Sequence, residues 1–232
     1  MSDENSSPMV SFVPTPIGNL ADITLRALDT LREVDLIACE DTRHSRKLFT
    51  RYEVEKPLVS LHDHNEKRRT PELIRKAQAG QRIAVVSDAG TPCLSDPGHR
   101  FLLACIEAQI SYQVLPGATS ITTALVASGF PPHKFTFGGF LPLKKGKRER
   151  ELQAAVERGH TSLYFESPHR LVTTLEILNK INPHVRVSVS KELTKKFENI
   201  YRDEILKLLP RFNDSTPRGE YVLAIDPSNL SQ

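Results

Sequence analysis

Residues 83–98 read Ile83-Ala84-Val85-Val86-Ser87-Asp88-Ala89-Gly90-Thr91-Pro92-Cys93-Leu94-Ser95-Asp96-Pro97-Gly98, a short apolar run that passes straight into small and turn-forming residues. Such a run suits a strand covered on both faces. The glycines and prolines that follow permit tight turns and let backbone N–H and C=O groups approach a ligand closely. The same pattern occurs where Ser11-Phe12-Val13 meets Pro14-Thr15-Pro16-Ile17-Gly18-Asn19, and where Tyr112-Gln113-Val114-Leu115 meets Pro116-Gly117-Ala118-Thr119-Ser120. Three such junctions predict loops that line one crevice at the carboxyl edge of a parallel sheet.

Working outward from this stretch, candidate strands at 10–14, 34–39, 58–61, 82–87 and 111–115 alternate with helix-like segments, which predicts a mainly parallel α/β sheet. Asp22 is expected to cap a helix carrying Leu25, Leu28 and Leu31 on one side. Thr70-Pro71, Asp96-Pro97 and Ser167-Pro168 each read as an N-cap followed by proline at the first helical position. The stretch Gly129-Phe130-Pro131-Pro132-His133-Lys134 breaks the periodicity and predicts a domain boundary. Residues 10–130 then form one α/β domain and 131–232 a second. In the latter, apolar segments at 135–140, 161–165, 185–189 and 221–225 separate helix candidates at 147–158, 168–180 and 202–209.

A chain of 232 residues with 39% hydrophobic and 25% charged residues has the composition of a water-soluble globular protein. Its longest apolar run, Phe101 to Ile106, is too short to span a bilayer. Residues 1–9 are expected to form a mobile tail rather than a signal peptide, which predicts a cytosolic location. Cys39, Cys93 and Cys105 are odd in number and lack CxxC spacing, arguing against a disulfide framework or a zinc site. The net charge of +3 does not by itself diagnose nucleic-acid binding.

Several polar groupings fall at the expected loop edge. Glu40-Asp41-Thr42-Arg43-His44 follows the second candidate strand, and a carboxylate there could orient a hydroxyl or take a proton, or Asp41 could simply begin a helix. In His62-Asp63-His64-Asn65-Glu66 only His62 and His64 could converge, and no third ligand accompanies them, so a polar loop is the better reading than a metal site. Asp88 is the better functional candidate of the two aspartates in the opening stretch, with Asp96 assigned to the next helix start. Neither GxGxxG nor GxxxxGK[ST] occurs, which removes the dinucleotide and P-loop readings. Lys144-Lys145-Gly146-Lys147-Arg148-Glu149-Arg150 packs five basic residues into seven positions, as a solvated face or a phosphate contact would.

Read together, these words resemble the RsmI-type branch of the tetrapyrrole-methylase-like family. The matching segments are Val13 to Thr24, Ala38 to His44, Leu61 to Glu66, Val86 to Pro92, Leu115-Pro116-Gly117, Phe140-Leu141-Pro142, Phe165 to Arg170, Lys191 to Lys195 and Arg218-Gly219-Glu220. The resemblance covers about residues 10–226 and implies two α/β domains with S-adenosylmethionine in the cleft between them. It implies methyl transfer to the ribose 2′-hydroxyl of a cytidine in the decoding centre of small-subunit rRNA, by a homodimer. Family correspondence sets the donor against Pro16, Ile17, Gly18, Ser87, Asp88, Ala89, Gly90, Thr91, Pro116, Gly117, Phe165, Glu166, Leu193 and Gly219. Asp41, Glu40 and His64 become the candidate proton acceptors, and Arg43, Lys144, Lys145, Lys147, Arg148 and Lys195 the candidate RNA contacts, with no metal. Two departures stand out: Ala118-Thr119-Ser120 replaces a proline-containing continuation, and the match stops short of a C-terminal helical region found in longer relatives. A small-molecule methyltransferase and a non-enzymatic RNA-binding module remain the alternatives.

Overall fold

The computed structural model describes residues 8–213 and 217–227, so the expected N-terminal tail lies outside them except for Pro8 and Met9. Two compact units divide between Thr119 and Ser120. In the first, strands β1 (Val10–Phe12), β2 (Leu36–Cys39), β3 (Leu58–Ser60), β4 (Ile83–Val86) and β5 (Tyr112–Val114) form a sheet ordered β3-β2-β4-β1-β5. Every pairing in it is parallel. Alternate residues of β2 divide between two cores. Leu36 and Ala38 join Phe12, Leu73, Phe101 and Cys105, while Ile37 and Cys39 join Leu31, Leu48, Phe49 and Leu115. Both faces of the sheet are therefore covered, as the unbroken apolar strands require.

The helices of this unit are α1 (Leu25–Glu33), α2 (Thr42–Arg51), α3 (Glu66–Gln78) and α4 (His99–Glu107). Three of their starts correct the sequence expectations. Thr24, not Asp22, caps α1, its hydroxyl accepting from Ala27 N at 3.0 Å, and Leu25 lies exposed. Helix α3 begins at Glu66 with Pro71 inside it. Asn65 sets that earlier start: its Oδ1 accepts from His62 N while its Nδ2 donates to the Ser60 carbonyl and hydroxyl, joining the end of β3 to the helix. Helix α4 starts after Gly98 rather than at Pro97. Its open N–H groups are met from a distance, because Glu66 Oε1 accepts from Gly98 N, Arg100 N and Phe101 N at 3.0, 2.9 and 3.4 Å. Asp96 is thereby released from the capping role assigned to it.

The second unit begins with α5 (Ser120–Ser128), which packs against its sheet, so the compact units part eleven residues ahead of the expected boundary. Strands β6 (Phe135–Phe140), β7 (Thr161–Glu166), β8 (Arg186–Lys191), β9 (Asn199–Glu204) and β10 (Tyr221–Asp226) are ordered β6-β7-β10-β8-β9. β6 and β7 are parallel and the remaining pairs antiparallel. Helices α6 (Lys145–Glu157), α7 (Leu171–Ile181), α8 (Ile205–Leu208) and α9 (Pro210–Asn213) complete it. Of the helix expected over 202–209, only Ile205–Leu208 forms: Asn199–Glu204 pairs residue for residue with β8, and one helical turn follows it. Ser167-Pro168 opens a turn, and α7 starts only at Leu171, with Leu171 N donating to the Ser167 carbonyl. No described helix is long and apolar enough to cross a membrane.

Candidate functional site

The connections leaving β2 and β4 run in opposite directions, one to β3 and the other past β1 to β5. In an open parallel sheet that divergence leaves a crevice at the carboxyl ends of the two strands. Glu40 and Asp41 follow β2 at this point, and Ser87 and Asp88 follow β4. The backbone joins them, with Asp41 N donating to Asp88 Oδ1 at 3.1 Å. Beside them the loops after β1 and β4 are linked by an antiparallel bridge between Thr15 and Gly90, each N–H donating to the other's carbonyl at 3.0 Å. The Thr15 hydroxyl also donates to the Ser87 carbonyl. Thr91 reaches the third loop, its hydroxyl 3.4 Å from the Ala118 carbonyl. Pro16 and Ile17 are buried, whereas Gly18, Pro116 and Gly117 face solvent. Gly90 sits at φ +83°, a conformation that L side chains rarely adopt, and a Cβ there would stand a tight 3.3 Å from Ile17 Cγ2, so glycine suits the close approach of these loops.

The carboxylates at this edge do not behave alike. Asp41 is the N-cap of α2: Oδ1 accepts from Arg43 N at 2.8 Å and Oδ2 lies 3.4 Å from the Arg43 guanidinium. Those bonds, the Arg43 N–H first, lower its pKa. Glu40 goes the other way. Burial and then the Asp88 carboxylate raise it, against a hydrogen bond from the Asp88 N–H. Asp96, freed from helix capping, is the most perturbed: burial, then Glu40, push it up to about 7, opposed by the Ser87 hydroxyl, with Asp88 and Asp63 adding to the rise. An aspartate before proline reads as an N-cap in sequence; Glu66 caps α4 in its place, and Asp96 turns to Ser87 and Glu40 instead. His64 is exposed in the turn after β3, with its ring centroid 6.0 Å from that of His62. Among the described residues no group of three or more His, Cys, Asp or Glu side chains could hold a metal ion.

In the second unit, the ends of β6, β7 and β8 and the start of β10 share one sheet edge, as the pairings Phe140 with Phe165, Tyr221 with Glu166 and Tyr221 with Lys191 require. The family-matched residues gather along it, although several are committed to the fold. Glu166 is buried, accepting from Ser167 N and the Thr174 hydroxyl and pairing with Arg170 at 3.0 Å. Leu193 is buried, and Gly219 packs directly on the Glu192 side chain. Lys195 bridges Glu192 and Glu220 at 2.9 Å each. Burial works against its charged form, yet the two carboxylates hold its pKa above the ordinary lysine value. Its ammonium thus stays charged and is paired with two carboxylates within its own sheet edge.

The basic run divides as well. Lys144, Lys145 and Lys147 are exposed at the start of α6, while Arg148 is 5% exposed and donates to the Pro142 carbonyl at 3.4 Å. Arg148 is therefore a fastener for the preceding loop rather than a phosphate contact. The reason lies in helical spacing, which turns every third or fourth residue of an amphipathic helix inward. Arg43, in the first unit, is well exposed and paired only with Asp41 among the described ion pairs. A concavity of about 520 Å³ bounded by Arg46, Phe49, Glu55, Lys56 and Leu58 contains none of the expected residues.

A family model described as Tetrapyrrole (Corrin/Porphyrin) Methylases matches residues 9–208. A protein named Ribosomal RNA small subunit methyltransferase I from Synechocystis sp. is 46% identical, the alignment covering 92% of this chain and 77% of that one. A protein of the same name from Thermotoga maritima is 40% identical over 92% of this chain and 96% of its own. Among solved structures, that of the methyltransferase CobJ aligns with a TM-score of 0.71 at 21% identity, covering 96% of this chain and 95% of that chain. Diphthine synthase aligns at 0.72 with 14% identity, over 93% and 88% of the two chains. The two structures share the fold, the two sequence relatives are 40% and 46% identical, and the chain belongs to the tetrapyrrole (corrin/porphyrin) methylase family.

Proposed function

We propose that this chain is an S-adenosylmethionine-dependent methyltransferase of small-subunit ribosomal RNA, acting on the ribose 2′-hydroxyl of a cytidine in the decoding centre. The observation that carries this reading is the 40–46% identity, over more than nine-tenths of the chain, to proteins named Ribosomal RNA small subunit methyltransferase I.

The first unit's loop edge suits the donor. When bound, S-adenosylmethionine supplies a methyl group on a positively charged sulfur. Pro16, Ile17, Gly18, the Ser87 to Thr91 turn, Pro116 and Gly117 offer mostly backbone groups, and Gly90 allows close approach. Glu40 and Asp88 give the same edge a negative field that favours a cation, beside an Asp96 that burial and their charge keep largely protonated up to about pH 7. Phe165, Glu166, Leu193 and Gly219 hold the second unit's edge in shape, Glu166 through its bonds to Thr174 and Arg170.

Of the candidate proton acceptors, Glu40 is the one this reading favours, because a raised pKa brings a carboxylate closer to the working range of a general base. Asp41 is held in its ionised form by the α2 cap and sets the position of the loop. The Lys144 to Lys147 segment and Arg43 supply exposed positive charge for RNA phosphates. The protein works in the cytoplasm as a homodimer. The test is a strain lacking this gene, with small-subunit rRNA mapped for ribose methylation. One cytidine should lose its 2′-methyl group and regain it on complementation, and an unchanged methylation map sinks the reading.

A further inference from the structure

The strand before the basic run presents an aromatic ring to solvent by construction. Between Phe137 and Phe140 the β6 to β7 register slips, so that Phe137 opposes Leu163 but Phe140 opposes Phe165. The bulge needs both glycines. A Cβ on Gly138 would stand 2.2 Å from Tyr164 Cε1, and Gly139 takes φ +67°. The result re-aims Phe140, whose ring lies 5.2 Å from that of Phe165, itself 5.0 Å from Phe137. Phe140 nonetheless remains 58% exposed, and Leu143 beyond it 81%.

The segment that follows is held in place. Arg170 donates to the Leu141 carbonyl at 3.3 Å and buried Arg148 to the Pro142 carbonyl at 3.4 Å. Helix α6 then starts with Lys144 at its N-cap position, no side chain capping it and no acidic residue in its first turn. Lysines at the positive end of a helix dipole oppose it, and an anion there would relieve both charges. Among the described ion pairs, these lysines make one, Lys145 with Glu149 at 3.9 Å. Phe140 and Lys144 are four residues apart, so no more than about 14 Å of chain separates ring and cations.

We infer that Phe140 is a stacking platform for an unpaired nucleobase of the RNA substrate, whose adjoining phosphate sits on Lys144, Lys145 and Lys147 at the start of α6. This rests on the ribosomal RNA reading above and adds a residue that recognises a base to it. A flat exposed π-face beside fixed positive charge is the general chemistry of single-stranded nucleic-acid contact.

The chain contains no tryptophan, so Phe140→Trp places a single indole reporter on the platform. Titration with oligocytidylate should quench its fluorescence, whereas inorganic polyphosphate, which has charge but no bases, should leave it unchanged. Phe140→Ala should weaken oligocytidylate binding roughly 5- to 150-fold, the effect of losing one stacked base, without altering the salt dependence. Phe140→Leu, which keeps apolar bulk and guards against a folding defect, should lose as much. Replacing the three lysines by glutamine should instead flatten the salt dependence. Equal binding by Phe140→Ala and wild type, equal quenching by polyphosphate, or a change of oligomeric mass in Phe140→Ala overturns the platform alone. A wild-type chain that binds neither oligocytidylate nor small ribosomal subunits overturns the wider reading with it.

Discussion

Replacing Asp96 with asparagine should change how stability responds to pH. In the folded chain Asp96 keeps its proton up to about pH 7, chiefly through burial and then through Glu40, Asp88 and Asp63, with the Ser87 hydroxyl opposing. In an unfolded chain the same group ionises near pH 4. Between these values the folded state holds a proton that the unfolded state has lost. The group's contribution is therefore complete below about pH 4 and disappears as the pH rises through 7. At up to about 1.4 kcal/mol per pH unit the interval spans about 4 kcal/mol, which partial solvent contact reduces to about 2 kcal/mol. Urea unfolding from pH 4.5 to 8.5 should show the wild type losing roughly that amount, while Asp96→Asn stays comparatively level and is the more stable protein at pH 8. Glu40→Gln removes the strongest neighbouring charge and should make the wild-type fall shallower. Taking the difference between variant and wild type cancels the histidines, which titrate in both. Parallel curves for Asp96→Asn and wild type would refute the argument.

Glu66→Ala strips three N–H groups of their acceptor at the start of α4 and should cost about 2 kcal/mol in chemical denaturation. Glu40→Gln should slow single-turnover methyl transfer at least tenfold while Asp41→Asn, which preserves the cap, stays near wild type; the reverse order would move the proton acceptor to Asp41. Arg148→Ala should lower the melting temperature, since a buried guanidinium bond and its packing go with it, whereas Lys147→Ala should leave the melting temperature in place. Gly138→Ala forces a methyl group into buried Tyr164 and should destabilise by about 3 kcal/mol, read by the same melting curves.

Strands were the most legible part of this chain because an apolar run states its own burial. Ile83-Ala84-Val85-Val86 is buried throughout, as its composition demands. Helix starts were less legible, since three Ser, Thr or Asp residues before proline read as caps and none begins its helix. At Asp96-Pro97 the acceptor comes from Glu66, thirty residues upstream, and at Thr70-Pro71 the start is moved forward by Asn65 gripping Ser60. Both are tertiary bonds that local pattern does not encode. Strand β9 was misread for a related reason. Asn199-Ile200-Tyr201-Arg202-Asp203-Glu204 is polar because it lies at a sheet edge, with β8 on one side only. At the site, the clustering of Glu40, Asp41, Ser87 and Asp88 followed from strand order, whereas the pairing of Lys195 with Glu192 and Glu220 and the burial of Arg148 depended on partners that only the folded chain supplies.

The bridge between Thr15 and Gly90 has a consequence for timing as well as shape. Two loops that would otherwise sample many conformations are tied together just beyond the sheet by reciprocal N–H to carbonyl bonds. Their ordering entropy, of the order of 1–2 kcal/mol per residue, is spent when the domain folds. A ligand arriving at this edge meets loops already in register and gives up little of its own binding energy to arrange them. Association there is expected to follow simple second-order kinetics, without the slow isomerisation that a mobile lid would impose.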